Sequence, residues 1–304
     1  MDRANINSSK LPVRFDDVSR RPIEWPTFLL ALFTYCLFAL STVAYIFLPI
    51  LTAPLWILLN AIAVYLGFTV IHEASHKNII RSNVRMNHLL GYLSGIIMHG
   101  SFYQFVLIHH QHHAHTNHPE KDPDYGAAGK MSISLILKIG LFLFHYIEFF
   151  WKKNLDHLRT NPVATYFPYV IVMGIYASSI VFGFLEHVLI IWTLPVFLGT
   201  VCVMIVFDYI PHTPHNRQGR YDNSRNYVGN PVWSWLSQMH AYHIVHHLSP
   251  SIAWYRYEEV YWKKRKSLLE AGALETKVDW KTLALTAQER AQEKFDSLRS
   301  RFGT

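Results

Sequence analysis

The sequence is poor in charge and nearly without cysteine. Charged residues make up 16% of the 304 positions, well below the roughly 25% of ordinary soluble domains. A chain with 51% hydrophobic and 15% aromatic residues is not a disordered protein, and its composition argues against an ordinary water-soluble enzyme. The 2 cysteines, Cys36 and Cys202, both lie in long apolar runs, which argues against a disulfide scaffold or a thiolate zinc site. Residues 1–24 are polar and mixed in charge, without the apolar centre of a secretory signal. GxGxxG, CxxC and any fused haem-binding segment are also missing, which argues against a built-in dinucleotide, dithiol or haem site.

Lysine and arginine are absent from 22–76 and again from 160–216. The first gap holds two apolar runs, about 28–48 and 55–71, joined by the Pro49–Pro54 turn. The second holds runs at about 166–185 and 188–207, meeting at Glu186-His187. A bilayer core takes about 20 apolar residues per helix, so four spans in two transmembrane hairpins are expected. All 28 cationic residues then fall on one side of both hairpins, and the positive-inside rule makes that side cytoplasmic. Both termini and the segments 72–162 and 208–304 are expected there, in one domain spanning 1–304. The formal charge of +7 reads as sidedness and attraction to anionic lipid, with no role for nucleic acid. The apolar stretches 88–108 and 131–151, broken by His99, Gly100, Lys138, His145 and Glu148, are expected as interfacial helices. Trp262–Phe302 is expected as a charged, solvated helix near the lipid surface.

Histidine is present in excess, with 19 copies, as many as phenylalanine. Three clusters stand on the cytoplasmic side. His72-Glu-Ala-Ser-His76 leaves the second span, and residues four apart share a helix face. His109-His110-Gln-His112-His113 and His243-Ile-Val-His246-His247 follow, each spaced i, i+3, i+4. A structural zinc site closes at four ligands, so eight histidines so spaced suggest two metals; imidazole suits iron, copper, nickel or zinc. In Asp208-Tyr-Ile-Pro-His212-Thr-Pro-His215, His212 is a ninth candidate ligand, and Asp208 is placed to hold a water or orient a ligand. His215 and His145 are weaker candidates. His110, His115 and His118 suit surface or supporting roles, and His88, His99, His157, His187 and His240 read as interfacial or solvated.

Five segments then carry a resemblance: Thr69-Val-Ile-His-Glu-Ala-Ser-His76, His109-His-Gln-His-His113, Asn117-His-Pro-Glu-Lys-Asp-Pro-Asp124, Phe207-Asp-Tyr-Ile-Pro-His212, and the run from His243 through Trp254-Tyr-Arg-Tyr257. In this order they resemble the membrane di-iron fatty-acid desaturase and hydroxylase superfamily, and within it the cyanobacterial-type β-carotene hydroxylases. The resemblance implies an all-α integral membrane fold with a cytoplasmic histidine-rich di-iron cap. It implies two Fe2+ ions held by His72, His76, His109, His112, His113, His243, His246 and His247, with His212 as the ninth ligand. O2 would be the cosubstrate and ferredoxin the expected electron donor, drawn to a basic face. The substrate would be lipophilic: a carotenoid ring, with β-carotene hydroxylated to zeaxanthin, or alternatively an acyl lipid to be desaturated. Tyr65, Phe68 and Phe207 are placed to line its path or to pack. Glu73, Ala241 and Ala253 stand where that branch has Asp, Asn and Pro.

Overall fold

A computed structural model describes residues 12–47, 53–153 and 160–278. Helices α1 (Trp25–Phe47) and α2 (Ala53–Ser75) each run 23 residues, about 35 Å at the α-helical rise and enough for a bilayer core. They are followed by α3 (Val84–Ile97), α4 (Phe102–His115), α5 (Ile133–Gly140), α6 (Phe142–Lys153), α7 (Pro162–Val181) and α8 (Leu185–His212). Among the described residues, α1, α2, α7 and α8 are long and apolar enough to cross a membrane. Two boundaries differ from expectation in a way that matters: α2 continues through Ser75 and α8 through His212. Their polar ends are buried, so the helical hydrogen bonds extend past the apolar runs and carry His72 and His212 on rigid backbone.

Small residues set the distances between these helices. Helix α1 turns Thr27, Ala31, Thr34 and Ser41 inward and leaves Leu29, Phe33 and Leu40 exposed, the arrangement expected where lipid offers no drive to bury large side chains. Ser41 donates to Asn60 of α2, and the Asn60 amide donates to Ile191 O of α8 at 2.6 Å. Gly199 is where α8 meets α2: a Cβ there would lie 2.5 Å from Val64 Cγ1 and 3.0 Å from Ala61 O. Gly199→Leu is therefore expected to force the two helices apart and destabilise the fold by about 1–3 kcal/mol. Thermal unfolding in detergent checks this, and an unchanged midpoint would contradict it.

The expected interfacial stretch 88–108 is two helices. Asn83 caps α3 by accepting from Met86 N–H, and Ser101 caps α4 by accepting from Gln104 N–H. Between them His99 adopts a left-handed φ of 61°. The stretch 131–151 is likewise divided, α5 and α6 meeting at a 66° bend. Asn87 of α3 ties the segment after box one, donating to Ala74 O at 2.8 Å and accepting from Ile79 N–H at 3.1 Å.

The all-α expectation needs correction. β1 (Arg225–Val228) pairs in parallel with β2 (Leu274–Lys277), Arg225 opposite Leu274. Between the strands lie α9 (Pro231–Leu236), α10 (His243–Leu248) and α11 (Tyr257–Ala271). Among the described residues the charged tail is helical to Ala271, where Gly272 takes a φ of +106°, a conformation that costs glycine little, and turns the chain into β2. The rest of the expected tail helix, beyond 278, lies outside the described residues. Tyr242, Ile244, Val245, Ile252, Tyr257 and Tyr261 form the core under α10, fixing the third histidine box from below.

Candidate metal centre

Four elements deliver histidines to one place. His72 from the end of α2, His76 just beyond it, His109 from α4 and His246 from α10 form one group. His112 from α4, His212 from the end of α8, and His243 and His247 from α10 form a second. Within each group the available ligand atoms lie within 4.8 Å of one another. His72 Nε2 stands 3.0 Å from His246 Nε2, and His76 Nε2 stands 2.9 Å from His109 Nε2. His113 sits between the groups, its Nε2 3.1 Å from that of His109 and its ring 4.5 Å and 4.7 Å from those of His246 and His247. The i, i+3, i+4 boxes thus straddle two groups: α4 gives His109 to one and His112 to the other, while α10 gives His246 to the first and His243 and His247 to the second.

Outer hydrogen bonds fix several of these rings. His112 Nδ1 lies 2.9 Å from Asp122 Oδ1 and 3.2 Å from Asp124 Oδ2, and Asp122 itself accepts the N–H groups of Asn117 and Asp124. His212 Nδ1–H donates to Asn223 O at 2.9 Å. His246 Nδ1 meets the Tyr257 hydroxyl at 3.0 Å, and that hydroxyl donates to Glu73 Oε1 at 3.4 Å. Glu73 also accepts from Trp254 N–H at 3.2 Å. Such contacts orient a ring and leave its other nitrogen for a metal. Buried Nε2 atoms of His212 and His247 have no hydrogen-bond partner, and Nε2 pairs facing each other at 3 Å have no shared polar group to receive them. The donor set fits two metal ions of the kind imidazole holds.

Other expected residues fall differently. Asp208 lies with Asp124 and His112 in a third, mixed group, and His215 approaches it at 3.9 Å; both are buried beside the second histidine group. His145 stands apart from both groups, donating from Nε2–H to Pro123 O at 2.9 Å and packing on Phe142. His99 and His240, read as interfacial or solvated, are buried. His240 is the residue the sequence hides, since nothing but its place three before His243 marks it. Its ring lies 5.2 Å from His72 and 4.2 Å from Phe207, its Nδ1–H donates to Gln238 O, and its Nε2 has no partner. His157 lies outside the described residues.

A cavity of about 20 Å³ touches His72, His109, His112, His243 and His240. It shares Phe68, Phe105, Tyr146, Val203 and Met204 with an apolar cavity of about 80 Å³ between α2, α4, α6 and α8. Phe68 and Phe207 line the inner cavity, their ring centroids 4.9 Å apart. Tyr65 stands behind Phe207, donating to Leu236 O at 2.6 Å.

Burial pushes the imidazoles outside the spans towards neutrality. His76 and His240 are lowered to about 3, and His109, His113, His243, His246 and His247 fall well below the ordinary range, by burial first and neighbouring rings second. For His112 burial acts the same way, but the Asp122 and Asp124 carboxylates override it and raise the ring to about 10. Burial also lifts Asp124 to about 7 against the pull of His112. His76 and His240 contribute full stability above about pH 6.5 and lose it as pH falls towards 3, at about 1.4 kcal/mol per pH unit each, and the other lowered rings act with the same sign. His112 has the opposite sign, its contribution being lost as pH rises from about 6.5 to 10. Metal-stripped protein in detergent is therefore expected to melt at steadily lower temperature from pH 6.5 to 5. A flat midpoint over that window would show the rings already charged or exposed.

Buried twin histidine groups at the ends of membrane-length helices, together with the chain's relatives, mark a non-haem oxidoreductase of the di-iron type. The chain belongs to the fatty acid desaturase family, whose model matches residues 48–278. It is 27% identical over 194 residues to a β-carotene ketolase of Paracoccus sp. (strain PC1), covering 62% of this chain and 71% of that protein. It is 28% identical over 232 residues to the β-carotene ketolase of Paracoccus sp. (strain N81106 / MBIC 01143), covering 75% and 85%. The fatty acid desaturase of Bacillus subtilis (strain 168) is 24% identical over 266 residues, covering 77% of this chain and 74% of that one.

Proposed function

We propose that this protein is an O2-dependent membrane oxygenase that hydroxylates a carotenoid ring, taking β-carotene to zeaxanthin. The single observation that carries the reading is the apolar cavity ending on two four-histidine groups. His72, His76, His109 and His246 would hold one iron, and His112, His212, His243 and His247 the other, with His113 between them. Bound there, the two irons would supply O2 activation and an oxidant able to take hydrogen from an unactivated C–H bond. The chain's own part is positional. Phe68, Phe105 and Phe207 exclude water and hold an apolar ring edge against the site, and the Asp122, Asn223 and Tyr257 contacts keep the imidazoles aimed inward. Tyr146 donates to Asp124 at 2.6 Å, fixing a buried carboxyl group beside the reaction cavity.

The reading places the four long helices as two hairpins dipping from the cytoplasm, with the histidine cap, both termini and the site on the cytoplasmic side, in one domain. Both ketolase relatives are named for β-carotene, which supports a carotenoid substrate. The Bacillus desaturase match favours a second reading, acyl-lipid desaturation at the same site, since the bound geometry decides whether hydroxyl is returned or a second hydrogen is removed. Expression in cells that accumulate β-carotene, with pigments and fatty acids analysed together, tests both. Hydroxylated pigment is the expected result; a ring ketone would redirect the regiochemistry, and unchanged pigment with a new acyl double bond would sink the carotenoid reading.

A further inference from the structure

The histidine groups open in a second direction. A polar cavity of about 490 Å³ reaches His113 and His247 from the side away from the apolar cavities, and shares no lining residue with them. Of the nine histidines in and between the groups, His76, His113 and His247 keep an accessible edge, and two of these three face this opening. Its walls are His115, Thr116 and His118 at the end of α4 and Gln218, Arg220 and Asn223 from the loop after α8. A hydrocarbon substrate has no partner on such a surface. The site thus has a dry approach through Phe68 and Phe105 and a wet one ending on two imidazole edges.

The rim of the wet opening is cationic. Arg217 is neutralised by Asp222 at 3.2 Å, but Arg220 only lies over the Tyr221 ring at 5.7 Å. Lys121, in the turn beginning at His118, is exposed, and Glu120 beside it is exposed too, so with Arg217 and Asp222 cancelling and Glu120 offsetting Lys121, Arg220 carries the positive excess. Among the described residues neither Arg220 nor Lys121 is in a salt bridge. The loops are held in shape rather than free: Asn117 donates to Arg217 O and Asn223 O at 2.7 and 2.8 Å, and Gln218 donates back to Asn117 O at 3.3 Å.

We propose that this opening is the docking face of an acidic one-electron carrier protein, which reduces the metal centre through the exposed edges of His113 and His247. The proposal rests on the di-iron reading above and deepens it by giving the donor a place. Each carrier is oxidised by one electron and leaves. Two such transfers, with two protons from water, balance one turnover: substrate C–H and O2 become C–OH and water. Rigid, cationic walls suit a folded acidic partner that must arrive fast, deliver and depart, since rim charges act mainly on encounter rate.

The test uses full-length, iron-loaded protein in detergent and stopped-flow oxidation of a reduced plant-type [2Fe–2S] ferredoxin, an acidic carrier. Arg220→Glu combined with Lys121→Glu is expected to slow that oxidation about tenfold at low salt, with the difference shrinking as ionic strength rises. Reduction by photoreduced deazaflavin, an uncharged donor, is expected to be unchanged in the same variant. An unchanged ferredoxin rate would overturn the docking face. So would an equal loss with deazaflavin, which would mean a damaged site. Wild-type protein that deazaflavin cannot reduce would instead overturn the underlying reading, because it would hold no redox-active metal.

Discussion

Replacing His246 by alanine is expected to lower bound iron from about two per chain to about one and to slow turnover severely. His243→Ala is expected to do the same to the other iron. These residues are three apart on α10, yet they face different groups: His246 Nε2 meets His72 Nε2 at 3.0 Å, while the His243 ring lies 4.9 Å from that of His212. A spectroscopy that distinguishes the two irons should therefore see opposite members lost in the two variants. Losing one metal removes several kcal/mol of polarising and templating power, so rates about a thousandfold lower are expected. His145→Ala is the control, since that ring only wedges against Phe142 and Pro123; it should keep both irons. Iron content by mass spectrometry decides the matter, with thermal midpoints separating metal loss from unfolding. If both α10 variants lost the same iron, the division of each box between two metals would be wrong.

That division marks the limit of what spacing can say. The gaps in lysine and arginine were enough to find the four long helices to within a few residues, because inserting charge into lipid is so costly that its absence is a strong signal. The histidine boxes were equally legible, since i, i+3 and i+4 positions must lie near one another on any helix. Which ring serves which group was not, because it depends on how α2, α4, α8 and α10 are brought together, and that rests on contacts distant in sequence, such as Gly199 against Val64 and Tyr242 against Tyr261. His240 was invisible for the same reason: its burial comes from Phe207 on α8, far away in sequence. The parallel pairing of β1 with β2 spans about fifty residues and leaves no local pattern, so a segment of helical composition read as one long helix. Nor did spacing show that the His145 ring lies apart from both groups, donating to Pro123 O and packing on Phe142.

Tyr257→Phe is expected to weaken iron at the first group by about 10- to 100-fold while leaving the second group's iron in place. The hydroxyl links His246 Nδ1 to the carboxylate of Glu73, at 3.0 Å on one side and 3.4 Å on the other. All three residues are buried, so no solvent replaces a lost partner, and an unpaired buried N–H costs more than the bond was worth. Glu73 connects box one to the segment after box three, because it also takes Trp254 N–H and lies 3.3 Å from His72 Nδ1. Its side chain is one methylene longer than aspartate, which lets one carboxylate reach both the Trp254 backbone and Tyr257. Glu73→Gln keeps an acceptor of the same length and is expected to lose less iron affinity than Glu73→Asp, which keeps the charge but falls short. Chelator competition at fixed pH, read separately for the two irons, measures the order. If Glu73→Asp held iron more tightly than Glu73→Gln, charge rather than reach would be what Glu73 supplies to the first group.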